Sequence, residues 1–443
     1  MSRINSVIRP KAAIHGGVYP GHRKNTAESE SVIMPPPKTV TIPMSQHIGA
    51  ACEVLVKKGD TVFVGTKIGD CDRLVSAPIH ASVSGTVADI VDFCSPRGAH
   101  CPAVVIESDG QMTPDPNLVK PTVRKASDLV TAARDSGLVG LGGAGFPMHV
   151  KLTKGKIKPE ILIINGAECE PYITADYREC LENARDVFEG IYLLKKRLRV
   201  KEVIIAIEEN KPKAIEILHT IAADRMDKDN TVNIMKLASR YPQGAEKTLI
   251  YTATGRKLPF GKLPIDVGCI VMNITSVATL NRYIRTGMPL VSKRITVDGG
   301  AVSHPQNVIV PIGTSVADVL EFCGGRIGSP EKVLMGGPMM GTALDDLNTP
   351  ILKQSNAVLA LTKSEIGDKP TTACIKCGRC VRGCPMNLNP AGCENAYRHG
   401  DTELLASLHP EYCIECGSCS FACPAGRPLT QVMQVSKNIL RNQ

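Results

Sequence analysis

Cys374-Ile-Lys-Cys377-Gly-Arg-Cys380-Val-Arg-Gly-Cys384-Pro385 recurs in altered form as Cys413-Ile-Glu-Cys416-Gly-Ser-Cys419-Ser-Phe-Ala-Cys423-Pro424. Both runs read C-x2-C-x2-C-x3-C-P, the spacing with which bacterial ferredoxins hold [4Fe–4S] clusters. Two-residue gaps wrap three thiolates around one cubane, and the fourth cysteine of each run ligates the neighbouring cluster. Cys374, Cys377, Cys380 and Cys423 are therefore assigned to one cluster, and Cys413, Cys416, Cys419 and Cys384 to the second. The proline after each fourth ligand stops the chain from continuing as a helix. A four-cysteine zinc site needs only two C-x2-C pairs, so two identical four-cysteine runs favour iron–sulfur. Between the runs, AGCENAYRHG and DTELLASLHP predict two short helices. Residues 366–443 are thus expected to form a helical double-ferredoxin domain ending in a helix over Leu429–Leu440, with Cys393 buried and outside the ligand set.

Nine of the 17 cysteines crowd into Cys374–Cys423 and eight are scattered between Cys52 and Cys323. With no apolar signal core in MSRINSVIRPKAAIHGG, the clustered thiols read as metal ligands in a reducing compartment rather than as disulfides. No apolar run approaches the length that spans a bilayer, so a membrane-spanning role is not expected. The formal net charge of +9 falls to about +5 once two cubanes of roughly 2− each are counted. Such a balance suits an acidic protein partner or an anionic membrane surface better than nucleic acid.

Upstream of the cysteines the pattern changes three times. Residues 1–38 are set apart as an N-terminal segment, of which 1–30 read as polar and irregular. From 39 to 112 short β-runs alternate with glycine turns, which predicts a small sandwich or barrel. VKKGDTVFVGTKIGD followed by SAPIHASVSGTVADI resembles the barrel-sandwich fold of biotinyl and lipoyl domains. His80-Ala81-Ser82 stands where their modifiable lysine would be, so the module is expected to be structural. Cys94, His100 and Cys101 within it are read as buried lone residues rather than metal ligands. After a linker over Thr113–Pro121, helices over Ser127–Arg134, Ala175–Leu198 and Pro212–Ala223 alternate with strands over Ile161–Ile164, Glu202–Ile207 and Thr231–Lys236. That alternation predicts an α/β domain over 121–288 with a largely parallel sheet. In 289–362 a hairpin at Asp298-Gly299-Gly300 leads to a helix capped by Thr314, a β-grasp-like unit. Met339 and Met340, in GGPMMG, are expected to fill core gaps, with the glycines allowing close backbone approach.

Two loops of the α/β domain carry chemistry. Ser136-Gly-Leu-Val-Gly-Leu-Gly-Gly-Ala-Gly-Phe-Pro147 is rich in glycine, so its bare N–H groups can face a phosphate, with Lys151 and Lys154 downstream to neutralise it. The same residues could equally make a tight structural turn. Asn165-Gly166-Ala167-Glu168-Cys169-Glu170-Pro171 follows a strand, at the end of the sheet where α/β folds bind ligands. A solvated acidic loop is the alternative. Cys169, flanked by two acids, is expected to have a raised pKa and not to act as a nucleophile.

GLGGAGFPMHVK followed by NGAECEP resembles the flavin- and NADH-binding segments of the complex I flavoprotein subunit, and YPQGAEK (241–247) and Asn273-Ile-Thr275 extend the match. With HGGVYPGH near the start and PMSQHIGA after it, the order barrel-sandwich, flavin domain, β-grasp (SLBB) unit and double ferredoxin resembles the C-subunit family of Rnf complexes, membrane-bound ion-translocating ferredoxin:NAD oxidoreductases. The resemblance implies one FMN, an NAD(H) site and two [4Fe–4S] clusters. It places Gly140, Gly142, Gly143, Ala144, Gly145 and Lys151 around the flavin. It further implies that Asn165 and Glu168 hold the flavin and that Glu170 contacts the nicotinamide nucleotide. Phe146 would stack on a ring, while Gly244, Glu246 and Asn273 close the pocket. Leu141, Ala167 and Ala245 depart from the family pattern, each replacing a charged residue.

The implied activity is a hydride exchange at the flavin converted to single-electron steps through the clusters, with no catalytic side chain. Ion transport would belong to other, membrane-embedded Rnf-type subunits, and ferredoxin would be an indirect donor. The chain is expected to lie peripherally on the cytoplasmic face of the cell membrane. The rival readings are a flavin/iron–sulfur cobalamin reductase, in which the resemblance implies the barrel module following the ferredoxin part, and a non-enzymatic iron–sulfur electron wire.

Overall fold

The computed structural model describes residues 7–153, 155–224, 231–367 and 370–442. Lys154, expected near the glycine loop, lies outside them. The β-runs at 39–108 form two facing sheets. One has the strand order Thr39–Pro43, His100–Ser108, Gly85–Cys94, Thr61–Val62; the other runs Glu53–Val54, Lys67–Asp70, Ile79–His80. Inward-pointing Val40, Ile42, Val87, Val104 and Ile106 fill the space between, as the alternation of strand side chains requires. His80, in the hairpin position, is buried there. Cys94 is exposed, contrary to expectation, because it ends the long outer hairpin, whose tip also carries an exposed His100–Asp92 pair.

The next domain is built on a five-stranded, wholly parallel sheet ordered Val7–Ile8, Val232–Leu237, Glu202–Glu208, Ile161–Gly166, Cys269–Asn273. Helices on both faces bury its nearly continuous Ile and Val strands, as parallel sheets demand. The order reverses beside Ile161–Gly166, the first long strand, which is flanked by the second and the last. The expected helix over Ala175–Leu198 is two helices, Ala175–Glu182 and Ala184–Leu198. They break at Asn183, whose backbone leaves the helical region while its side chain bonds Glu179, a competition typical of asparagine.

A six-stranded mixed sheet follows, centred on the hairpin of Ser292–Asp298 and Gln306–Pro311. Its helix, Val316–Phe322, is capped by Ser315, which accepts from the Asp318 N–H at 3.0 Å. Thr314, the expected cap, instead bonds the Pro311 carbonyl. The expectation was one residue early because two adjacent hydroxyl residues satisfy the same cap pattern. The cysteine-rich end is helical, with helices Pro390–His399 and Thr402–Ser407 between the motifs and Leu429–Arg441 closing it. Cys393 is buried in the first of these.

Residues 7–33, of which those up to 30 were expected to be irregular, instead tie three of these units together. Val7–Ile8 adds an edge strand to the parallel sheet and Val32–Ile33 one to the mixed sheet.

Candidate functional site

The reversal of strand order puts a crevice at the carboxyl ends of Ile161–Gly166 and Cys269–Asn273, where Asn165 and Asn273 are register partners. Open α/β sheets bind ligands at such a point. The glycine loop closes over it. Gly140 donates to the Phe146 carbonyl at 2.8 Å and Gly145 to the Gly140 carbonyl at 3.1 Å, so 141–145 protrude as a tight turn. Gly142, Gly143 and Ala144 at its tip are exposed. Their backbone N–H groups bond no protein acceptor within the described residues, which is the donor set that a phosphate-bearing flavin needs. A Cβ on Gly142 would approach the Asn273 amide to 3.2 Å, a contact tight enough that the Asn273 side chain would have to shift. Leu141 donates its N–H to Ser276 Oγ and turns its side chain into the core. Buried Lys293 donates to the Leu141 carbonyl at 3.0 Å, and burial lowers its pKa to about 8.

The pocket's other side is equally specified. Lys151 donates to Glu246 Oε2 at 2.9 Å and to the Val271 carbonyl. Asn165 donates to the Gly244 carbonyl at 2.8 Å and accepts from the Ala167 N–H. Asn273 caps the helix Ile274–Thr286 and donates to Asp176 Oδ2 at 2.7 Å. Phe146 is half-buried beneath the glycine turn.

The acidic loop is held rather than solvated. Lys24 donates to two of its carbonyls, Glu168 (2.9 Å) and Glu170 (2.8 Å), and to that of Ile173 just beyond it (2.5 Å). Glu168 accepts from the N–H groups of Asp176 and Tyr177 at the start of a helix, and burial pushes its pKa up to about 7. Burial likewise raises Glu170 to about 7, although the Met339 N–H donates to it at 3.1 Å. Cys169 is pushed up to about 12, first by burial and then by Glu208 and Glu170. The expected direction is right, but burial contributes more than the flanking acids.

At the ferredoxin end, Cys384, Cys413, Cys416 and Cys419 line one pocket. These are three thiols of the second motif and the fourth of the first. Cys380 packs with Leu429 and Cys423, and Arg427, locked on Glu394, lies near both Cys374 and Cys423. Among the described residues no three His, Cys, Asp or Glu side chains converge on a single-ion position; the four thiols instead surround a space, as ligands of four separate irons would. The pocket of Cys384, Cys413, Cys416 and Cys419 therefore fits the group its spacing implies.

The two sites touch. The Tyr241 hydroxyl donates to the Cys416 carbonyl at 2.7 Å and lies 3.4 Å from Glu170 Oε1. Met339, half-buried in GGPMMG, packs with Tyr241, Cys169 and Cys416. Met340 is exposed rather than in the core, because the loop ends in a turn whose inner side is occupied by Glu170. Lys24, Asp176, Tyr241 and Lys293 were not singled out from the sequence. Tyr241 stood inside a quoted motif, whereas the lysines act through contacts more than a hundred residues distant and leave no local signal.

Comparison with known proteins matches four domain families in order: an RnfC barrel sandwich hybrid domain over 12–111, a Nuo51 FMN-binding domain over 133–282, an SLBB domain over 294–343 and a 4Fe-4S dicluster domain over 373–427. The chain is 43% identical over 386 residues to the C subunit of the proton-translocating ferredoxin:NAD(+) oxidoreductase complex of Clostridium ljungdahlii, covering 86% of this chain and 83% of that protein. It is 41% identical to the Na(+)-translocating counterpart of Acetobacterium woodii, covering 85% of each. With the C subunit of the ion-translocating oxidoreductase complex of Rhodobacter capsulatus it shares 39% over 97% of this chain and 83% of the other. A solved NAD+-reducing [NiFe]-hydrogenase chain shares the fold, with a TM-score of 0.52 at 18% identity, over 72% of this chain and 61% of that one.

Proposed function

The chain belongs to the RnfC family, the C subunits of ion-translocating ferredoxin:NAD(+) oxidoreductase complexes, and from that premise we propose that it passes electrons between NAD(H), one FMN and two [4Fe–4S] clusters. It is an electron-transfer subunit with an FMN-binding and a ferredoxin domain, and no helix among its described residues is long and apolar enough to cross a membrane. We place it peripherally on the cytoplasmic face, with ferredoxin an indirect donor and ion movement left to partner subunits.

Bound FMN would supply the exchange between two-electron hydride chemistry and single-electron transfer. The protein's own part is position and electrostatics. The N–H groups of Gly142, Gly143 and Ala144, flanked by Gly140 and Gly145, would hold the phosphate, with Lys151 as the nearby cation. Asn165 and Glu168 would fix the ring system, and Phe146 would stack on a ring. Glu170, Gly244, Glu246 and Asn273 would shape the nicotinamide side. With Leu141 buried and alanines at 167 and 245, that side carries fewer charges than the complex I pattern.

The observation that carries the reading is the contact of Tyr241 with both Glu170 and the Cys416 carbonyl. It joins the flavin loops to one thiol set without intervening solvent. Purification without oxygen, followed by iron, sulfide and flavin analysis, tests it. About eight irons per chain, one FMN and bleaching of both chromophores by NADH are expected. Zinc in place of iron, or a flavin that NADH does not bleach, refutes it.

A further inference from the structure

The two cysteine motifs are an internal repeat whose copies meet different surroundings. Ile414, Glu415 and Gly417 of the second correspond to Ile375, Lys376 and Gly378 of the first. The backbones agree closely: Lys376 and Glu415 have φ of 53° and 57°, and Gly378 and Gly417 of 70° and 78°. The second copy is covered. Ile414 packs with Val18, Tyr241 and Met339. A Cβ on Gly417 would stand 2.6 Å from the Met339 carbonyl oxygen. Glu415 is paired with Lys437.

The first copy presents the same surface uncovered. Ile375 is 66% exposed and Val381 39%, and the ligand Cys374 is itself exposed. Lys376, Arg379 and Arg382 of the same run are exposed as well, while residues 370–393 and 416–428 contain no Asp or Glu. Lys376, Arg379 and Arg382 outnumber the roughly 2− of an oxidised cubane, so this face stays positive with the cluster in place. An apolar centre ringed by one sign of charge is the anatomy of a steered, transient interface.

We propose that the first motif is the docking face for an acidic one-electron carrier protein or domain. The second motif shows what the repeat does with this surface when a partner is present: its isoleucine and glycine are sealed against Val18, Tyr241 and Met339 of the neighbouring units. The first keeps the isoleucine and glycine, replaces the acid with Lys376 and adds Arg379 and Arg382, so a cationic contact stands where the covered copy has an internal pair. This inference rests on the two-cluster reading above but not on NAD(H) binding.

Binding of oxidised rubredoxin, a small acidic iron protein, to the intact, cluster-loaded chain tests it, with the basic carrier cytochrome c as the counter-probe. Calorimetry should find rubredoxin binding that weakens about ten-fold when ionic strength rises from about 0.01 M to about 0.15 M, where the Debye length falls from about 30 to about 8 Å. Cytochrome c should bind at least ten-fold more weakly at the lower salt. In K376E/R379E/R382E that order should invert, with iron content and cluster spectrum unchanged. Should that variant lose iron, K376Q/R379Q/R382Q replaces it and should lose most rubredoxin binding. Equal binding of the two carriers, salt-independent binding, or neutralised variants that bind rubredoxin like the parent overturn the proposal. NADH plays no part in the measurement, so failure of the nicotinamide reading leaves its result unaffected.

Discussion

Lys353 shows how much a single side chain can carry here. It is fully buried, and its ammonium donates to the Pro78 carbonyl of the barrel sandwich at 2.6 Å and the Gly137 carbonyl of the flavin domain at 2.8 Å. Three units therefore meet on one nitrogen, directly before the glycine loop. Burial lowers its pKa from 10.5 to about 7. Between those values the unfolded chain binds a proton that the folded chain does not, so stability must rise with pH across pH 7 to 10.5, by up to about 1.4 kcal/mol per unit. Denaturant unfolding of Lys353→Met should lack that component of the slope; an unchanged pH dependence would mean the lysine reaches solvent. Tyr241 is the second such residue. Tyr241→Phe removes the donor to the Cys416 carbonyl and should cost about 1–3 kcal/mol, the penalty for an orphaned buried acceptor. If the contact also links the two redox sites, stopped-flow spectroscopy should show clusters reduced more slowly after the flavin in the variant, with cluster content intact.

At the scale of elements, the cysteine motifs were the most legible part of the chain, because cluster ligation is written in local spacing. Their cross-connection is testable by pairing variants. Cys384→Ser should damage the same cluster as Cys413→Ser, and Cys423→Ser the same one as Cys374→Ser, as read from which paramagnetic signal is lost on reduction. If Cys384→Ser instead removes the signal that Cys374→Ser removes, each run closes its own cluster and the shared pocket of Cys384, Cys413, Cys416 and Cys419 is misread. The flavin loops were legible as motifs, but their supports were not. Asn183 splits one apolar stripe into two helices without interrupting the helical period, so periodicity alone joins them. The loop GGPMMG is a similar case. Its glycines did signal close approach, and a Cβ on Gly337 would stand 2.2 Å from Glu170 Oε2. The sequence could not say which residue approaches, since Glu170 lies in another domain. Gly337→Ala should therefore displace Glu170 and weaken NADH binding while leaving FMN content unchanged, a split that separate titrations of the two would reveal.

For the molecule as a whole, the segment over residues 7–33 explains how three of the four modules hold one geometry. It read as irregular because each of its contacts is with a residue far along the chain, and such pairing leaves no periodic trace. Val7–Ile8 extends the flavin sheet and Val32–Ile33 the SLBB sheet. Between them, Val18 exchanges backbone hydrogen bonds with Tyr241, Gly17 donates to Gly383, and Lys24 holds the acidic loop. The strap thus passes between the flavin pocket and the motif that supplies Cys384, and its glycines are where it comes closest. Gly16 sits at φ +58°, and a Cβ there would meet the Cys384 carbonyl oxygen at 2.5 Å. A valine at that position faces both a left-handed backbone that β-branched residues resist and a clash with the backbone of a cluster ligand. Gly16→Val should push the strap off the ferredoxin domain and move Cys384 with it. The expected result is loss of the cluster that Cys384 completes, about four of eight irons, and faster bleaching in air, while the flavin domain keeps its FMN because its own loops are untouched. Loss of both cofactors together would show that the strap is needed for folding of the flavin domain, and retention of all iron would show that the ferredoxin domain holds its geometry without it.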